Sequence, residues 1–326
     1  MGRYARITGW GKYLPQRVLT NKELESVVHT SDAWISTRTG IRERRIAKDE
    51  ETASAMAVEA SREALGVAGL EADSLDLVVT ATVTPEMIFP ACASLVQHAI
   101  GARHAAAFDL NAACSGFVYA LATAAQFIVS GSYQNVLVVG SEVYSRILNW
   151  HDRSTCVLFG DGAGAVVLQA ADSPPGLLSF VLGSDGSRAD ILYTPGPCGT
   201  TNGPYYLAMN GQEVFRFAVT TICQATKEAV AAANLELSDI ELLIPHQANR
   251  RIIHSAAKAL GLPLERFFIN VERYGNTSAA SIPIALCEAI EQGRLNEGDH
   301  MVMVGFGGGL SWAATVFQWS SGAAAR

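Results

Sequence analysis

The strongest constraint on the fold of this chain is that it resembles itself. The stretch Leu70-Glu71-Ala72-Asp73-Ser74-Leu75-Asp76-Leu77-Val78-Val79 is echoed by Leu235-Glu236-Leu237-Ser238-Asp239-Ile240-Glu241-Leu242-Leu243-Ile244, 165 residues later. Val136-Leu137-Val138-Val139-Gly140 is echoed by Met301-Val302-Met303-Val304-Gly305 at the same offset of 165. Each unit reads as an alanine-rich helix, an acidic turn, a buried strand, a loop, and then strand, helix, strand. Short aliphatic runs bounded by turn residues suit strands buried on both faces. Strands alternating with helices imply a layered α/β fold, here of two duplicated halves related by a pseudo-twofold axis. The halves span residues 1–170 and 171–326. The second begins with a loop-rich connection, 171–208, punctuated by Pro174-Pro175, Gly186, Pro195-Gly196-Pro197, Gly199 and Gly203-Pro204.

The repeat also places the chemistry. Ala105 to Leu110 reads as a strand, and Ser115 to Ser130, stopped by Gly131, as a largely apolar helix. Cys114 lies between them, at a helix N-terminus, where unpaired N–H groups and the helix dipole favour an anion. That position predicts a lowered thiol pKa and a nucleophile at neutral pH. In the second half, the loop after the equivalent strand carries His246 within Pro245-His246-Gln247-Ala248-Asn249. The stretch after Phe267-Phe268-Ile269-Asn270 carries Asn276 within Tyr274-Gly275-Asn276-Thr277-Ser278. Packing about a pseudo-twofold axis would bring all three to strand ends around one pocket, the usual place for chemistry in such sheets. Taken singly, each has a plainer reading: a buried cysteine, a satisfied core histidine, a turn asparagine.

Composition narrows the function class. At 326 residues and 49% hydrophobic, the chain can bury a large core. No segment approaches the roughly 18 uninterrupted apolar residues of a membrane span, and the N-terminal residues lack an apolar signal core. The net charge of −7 argues against nucleic acid as a partner. Six scattered cysteines form no C-x-x-C pair, and no histidine pairs have metal-ligand spacing, so neither a metal nor a disulfide framework is expected. A reducing, cytoplasmic setting fits. Positive charge is nonetheless clustered at Arg38, Arg42, Arg44 and Arg45, and again at Arg250, Arg251 and Lys258. Such clusters suit either a solvated face or a small anionic partner.

The ordered motifs Thr30-Ser31-Asp32-Ala33-Trp34-Ile35, Thr39-Gly40-Ile41-Arg42-Glu43-Arg44, Ala113-Cys114-Ser115-Gly116-Phe117, Phe159-Gly160-Asp161-Gly162-Ala163-Gly164, Pro245-His246-Gln247-Ala248-Asn249, Gly275-Asn276-Thr277-Ser278 and Phe306-Gly307-Gly308-Gly309 run from end to end. By them the chain resembles the β-ketoacyl-acyl carrier protein synthase III family, thiolase-fold enzymes that initiate type II fatty-acid synthesis. The resemblance implies that Cys114 takes an acyl group from a short acyl-CoA as a thioester. Malonyl-acyl carrier protein would then decarboxylate and attack it, with His246 and Asn276 holding the enolate oxygen. The backbone N–H groups of Cys114 and Gly308 would hold the acyl oxyanion. A near-neutral imidazole pKa would let His246 assist proton movement as well.

The same resemblance assigns Trp34 and Arg153 to an adenine sandwich of coenzyme A, Arg38 to phosphate, and Met209, Gly211, Phe215 and Asn249 to the pantetheine tunnel. Ala33 departs from the glutamate often found there, which leaves the chemistry untouched. Arg251, extended by Lys258 and Arg216, would dock the acidic carrier protein. Phe89 would floor the acyl pocket across a homodimer interface and favour a short primer such as acetyl. No cofactor beyond the acyl-CoA substrate is implied. Two rival readings share the same residues: a specialised homologue that condenses or transfers an acyl group in secondary metabolism, and a cysteine hydrolase with Cys, His and Asn.

Overall fold

The computed structural model describes residues 3–199 and 203–320. Two sheets dominate it. In the first, the order is Tyr4–Tyr13, Asp161–Ala171, Asn135–Val143, Leu77–Ala81, Ala106–Leu110. In the second it is Leu242–Pro245, His300–Gly307, Ser311–Gln318, Leu177–Ser184. Leu77 pairs with Val136 in a parallel ladder, and Leu242 pairs with Met301 in another. Both partners differ by the same 165 residues, so the sequence repeat is preserved at the level of hydrogen-bond register. Each parallel core is flanked by antiparallel strands, Asp161–Ala171 in one half and Ser311–Gln318 in the other.

Between the sheets lie the helices Gly116–Val129 and Ser281–Glu291. Phe117, Leu121, Ala125 and Ile128 of one, and Ile282, Ala285, Leu286 and Ala289 of the other, share a core with Val79 and Val138 of the first sheet and Ile244 and Met303 of the second. A helix apolar on every face belongs in such a middle layer. Outside, Ala53–Ala68 and Cys92–Ile100 cover the first sheet, and Gly211–Ala232 and Arg250–Leu260 cover the second. The result is the thiolase-like layered α/β architecture, helix on sheet on helix on sheet on helix.

Two details correct the sequence reading. The connection 171–208 is not all loop: Leu177–Ser184 is an edge strand of the second sheet, paired antiparallel with Ser311–Gln318. The proline and glycine clusters around it mark its ends, and among the described residues 172–176, 194–199 and 203–207 carry no helix or strand. The counterpart of Ala106–Leu110 in the second half shrinks to a single parallel bridge, Leu243 to Phe267. Smaller elements over residues 18–45 pack as a satellite that carries Trp34 and Arg38 on the helix Asp32–Thr39. Ser31 caps that helix by accepting the Trp34 N–H, and Gly40 ends it in the left-handed conformation.

Candidate active site

Cys114 sits in a turn, Ala113–Ser115, between the strand Ala106–Leu110 and the central helix Gly116–Val129. Ala113 is held at φ 46, a left-handed conformation that costs a residue with a Cβ about 1–2 kcal/mol and that clusters at functional sites. The Ser115 hydroxyl donates to Ala112 O at 2.7 Å. The Ser311 hydroxyl shares its proton between Ala112 O at 3.0 Å and Gly308 O at 2.8 Å, tying the cysteine turn to the glycine run. Gly307 abuts the cysteine so closely that a Cβ there would lie 2.7 Å from the Cys114 nitrogen. Only a glycine lets the two halves meet at this point.

The thiol pKa is not lowered, as the helix N-terminus predicts, but pushed up to about 12. Burial is the main cause. Hydrogen bonds from Ser278 and Tyr144 act in the opposite sense, and the Glu142 carboxylate adds repulsion. Desolvation of a fully enclosed sulfur outweighs the field of one helix end.

His246 follows the strand Leu242–Pro245 and is 1% exposed. Its Nδ1 lies 2.6 Å from the Ser281 hydroxyl. With Ser281 donating, Nδ1 is the acceptor and the tautomer carries its proton on Nε2. Burial drives the imidazolium pKa down to about 3, so the ring is a neutral N–H donor at physiological pH and does not titrate near neutrality. Asn276 is fixed the same way: its Oδ1 accepts the Ser278 N–H at 2.8 Å, leaving the amide Nδ2 to face the cavity. The backbone of Asn276 is held by Leu158 and Gly160, at 2.8 and 3.0 Å. The loop bearing it rests on Glu288, which accepts from Tyr274 and Arg273 at 2.5 Å each.

Cys114, His246, Asn276 and Gly308 all line one cavity of about 1010 Å³. So do Arg38, Met209, Gly211, Phe215 and Asn249, along the route to the surface. The Asn249 side chain is already committed, its Oδ1 capping Arg250–Leu260 at the Arg251 N–H and its amide donating to Arg38 O. Trp34 and Arg153 stand outside this cavity, the guanidinium 4.7 Å from the ring centroid. A base between two planes needs about 7 Å, two stacking distances of roughly 3.5 Å. As a sandwich the pair is therefore closed, with too little space between ring and guanidinium for a base. Arg251 covers the Phe215 ring at 5.8 Å, and Lys258 lies further along the exposed face of the same helix. Arg216 is paired to Glu213 at 2.7 Å.

Phe89 does not touch the cavity of its own chain; it is 83% exposed, beside exposed Ile88 and Met87. The apolar end of the cavity is instead built from Val83, Ile147, Leu158, Phe159 and Leu207, with Tyr144 stacked on Phe159 at 4.8 Å. Sequence reasoning missed Ser281, Ser278, Tyr144 and Glu142. Glu142 alone carried a signal, an acid inside the otherwise apolar strand Asn135–Val143. Among the described residues no group of histidine, cysteine and carboxylate side chains could hold a metal ion.

Two family models match the chain, the 3-oxoacyl-[acyl-carrier-protein] synthase III model over residues 108–186 and its C-terminal model over 230–319. A β-ketoacyl-[acyl-carrier-protein] synthase III of Roseiflexus castenholzii is 53% identical, covering 99% of this chain and all of the relative. The Bacillus cereus β-ketoacyl-[acyl-carrier-protein] synthase III 1 is 51% identical over 96% of this chain and 98% of the relative. The crystal structure of 3-oxoacyl-[acyl-carrier-protein] synthase III from Aquifex aeolicus superposes with a TM-score of 0.93 at 48% identity, covering 97% of this chain and all of that one. The chain belongs to the 3-oxoacyl-[acyl-carrier-protein] synthase III family.

Proposed function

We propose that this chain condenses a short acyl-CoA, with acetyl-CoA as the preferred primer, with malonyl-acyl carrier protein. The products are 3-oxoacyl-acyl carrier protein, CoA and CO2, and the reaction proceeds through an acyl-cysteine. The observation that carries the reading is the convergence of a nucleophilic sulfur and two unpaired N–H donors, His246 Nε2 and Asn276 Nδ2, on one apolar cavity. In the first half-reaction Cys114 Sγ attacks the thioester carbonyl. The oxyanion accepts from the N–H groups of Cys114 and Gly308, and the CoA thiolate leaves. In the second, the malonyl carboxylate leaves as CO2 and the enolate oxygen accepts from His246 and Asn276. The enolate carbon then attacks the acyl-cysteine and expels the thiolate. A neutral imidazole suits this step, because it stabilises the enolate by hydrogen bonding without protonating the carbon that must react. No cofactor takes part.

Tyr144 and Phe159 stack at 4.8 Å in the wall of the cavity that Cys114 also lines, and these bulky rings support a short primer such as acetyl. The exposed Met87–Phe89 segment supports a homodimer in which Phe89 reaches the partner subunit's cavity. Arg251, over the ring of the cavity-lining Phe215, and Lys258, further along the same exposed helix face, support docking of the acidic carrier protein. No helix among the described residues is long and apolar enough to cross a membrane. The test is incubation of the purified protein with acetyl-CoA and malonyl-acyl carrier protein, following CO2 and the carrier-bound product by mass spectrometry. Formation of acetoacetyl-acyl carrier protein with matching CO2 supports the reading. Hydrolysis of acetyl-CoA without a new carbon–carbon bond overturns it in favour of a hydrolase.

A further inference from the structure

In the motif Pro245-His246-Gln247-Ala248-Asn249, Gln247 has no place in the cavity that His246, Ala248 and Asn249 line. It is buried, and its amide is turned into the protein with both N–H groups and the oxygen in use. Nε2 donates to Pro245 O at 2.7 Å and to Phe268 O at 3.1 Å, and Oε1 accepts the Asn270 N–H at 3.0 Å. The reverse orientation would set N–H against N–H and oxygen against two carbonyls, so these contacts fix which way the amide points. They continue toward the other donor. The buried Asn270 Nδ2 donates to Glu288 Oε2 at 2.9 Å. That oxygen also accepts from Arg273, and Oε1 accepts from the Tyr274 hydroxyl, at 2.5 Å each. Asn276 follows Tyr274 by two residues. Glu288 stands on the central helix Ser281–Glu291, about two turns beyond Ser281 and therefore on the same face. The Ser281 hydroxyl accepts the Gln247 N–H at 3.3 Å, which leaves its proton for His246 Nδ1 at 2.6 Å. The contacts thus close a circuit from His246 through Gln247, Asn270, Glu288, the helix and Ser281 back to His246.

We propose that Gln247 and Glu288 are positioning residues which, through this circuit, hold His246 Nε2 and Asn276 Nδ2 at the spacing of one enolate oxygen. Donors stabilise an oxyanion only from about 2.7–3.1 Å, and misplacing one by about 1 Å can cost about 100-fold in rate. His246 and Asn276 come from separate segments, so their spacing must be set by contacts that reach both. Ser281 and Gln247 hold the first, while Asn270, Arg273 and Tyr274 bring the second onto Glu288. Neither Gln247 nor Glu288 lines the cavity, so each acts through the donors and not on substrate. Cys114 is not a member of the circuit, which therefore bears on decarboxylation and leaves acylation of the sulfur alone.

The role toward the enolate rests on the proposed function, whereas the circuit is read without any activity. Backbone hydrogen–deuterium exchange is measured in the wild type, Gln247→Met and Glu288→Gln. Each variant should speed exchange about tenfold on the far side of the circuit as well as its own, in residues 271–277 for Gln247→Met and in 246–249 for Glu288→Gln. The first-half strand Leu77–Ala81 should keep its protection. Changes confined to the substituted side, or spread to Leu77–Ala81, overturn the circuit. In a second arm, acetyl-enzyme is mixed with labelled malonyl-acyl carrier protein. Each variant should release CO2 about tenfold more slowly, with acetylation of Cys114 within about twofold of the wild type. The double variant should be about as slow as the slower single one, because a circuit opens only once. Losses that multiply to about 100-fold show two independent supports, and equal losses in both half-reactions show general loosening; either overturns the positioning role. If Gln247→Met fails to fold, Glu288→Gln decides alone, by exchange in 246–249 and by the half-reactions. A wild type that releases no CO2 would remove the proposed function and leave the exchange result to judge the circuit.

Discussion

At the scale of single residues, the site is set by what each donor is forbidden to do. Ser281 occupies His246 Nδ1 and the Ser278 N–H occupies Asn276 Oδ1, so each side chain has only its N–H left for substrate. Ser281→Ala should free the imidazole to change tautomer. Malonyl decarboxylation is expected to fall about tenfold or more, while acetylation of Cys114 stays near the wild-type rate; equal loss in both half-reactions would contradict this. Two buried groups also shape pH dependence, in opposite senses. His246 has a depressed pKa, so its enclosure destabilises the fold as pH drops below the unfolded value near 6.5. Glu142 has a raised one, so the folded state holds a proton that the unfolded chain has lost. Its stabilisation is present below pH 4.5 and is lost as pH rises through about 7. Glu142→Gln should therefore gain on the wild type by about 3 kcal/mol between pH 4.5 and 8, read from denaturant unfolding at each pH. A constant difference would place the ionisation elsewhere. Of these partners only Ser278 stood in a motif, and nothing in that motif marked its N–H as the group that fixes Asn276. A serine's value as a tautomer lock depends on a contact 35 residues away, between His246 and Ser281, which no local pattern encodes.

At the scale of elements, the chemistry depends on the catalytic turns of one half touching strands of the other. Gly140, in a first-half strand, would place a Cβ 2.3 Å from Ala279 O, and Gly307, in a second-half strand, 2.7 Å from the Cys114 nitrogen. These contacts are main chain and cannot be relieved by moving a side chain. Gly307→Ala should cost about 3 kcal/mol and abolish acylation, checked by thermal unfolding and acyl-enzyme mass. A variant of wild-type stability and activity would show that the halves do not pack as described. On the outer face, Arg251→Glu should raise the KM for malonyl-acyl carrier protein more than that for acyl-CoA, since rim charge acts on encounter with the acidic partner. Equal changes would put Arg251 on the nucleotide path instead. The strands and helices were largely readable because the aliphatic runs recur at one offset and pair in the register that offset requires. Leu177–Ser184 was not, because an edge strand with exposed Phe180 and Leu182 lacks the continuous buried run of the central strands, and prolines crowd its start.

At the scale of the whole molecule, duplication explains why one chain can run two half-reactions in one cavity. The first half supplies the sulfur, from the turn after the strand Ala106–Leu110, and the second the two donors, His246 from the end of the strand Leu242–Pro245 and Asn276 from the turn after the short helix Val271–Tyr274. That convergence was legible in the sequence because the repeat equates the positions. The electrostatics were not. Enclosure between two sheets raises the thiol pKa and lowers that of the imidazole, reversing what a helix N-terminus and an ordinary histidine lead one to expect. The most direct test separates the half-reactions. Cys114→Ala, His246→Ala and Asn276→Ala are each assayed for acetyl-enzyme by intact mass and for CO2 from labelled malonyl-acyl carrier protein. The division of labour predicts that His246→Ala and Asn276→Ala still take up one acetyl group but lose decarboxylation about 100-fold or more, while Cys114→Ala takes up none. Decarboxylation at the wild-type rate in His246→Ala or Asn276→Ala, or an acetylated Cys114→Ala enzyme, would contradict it.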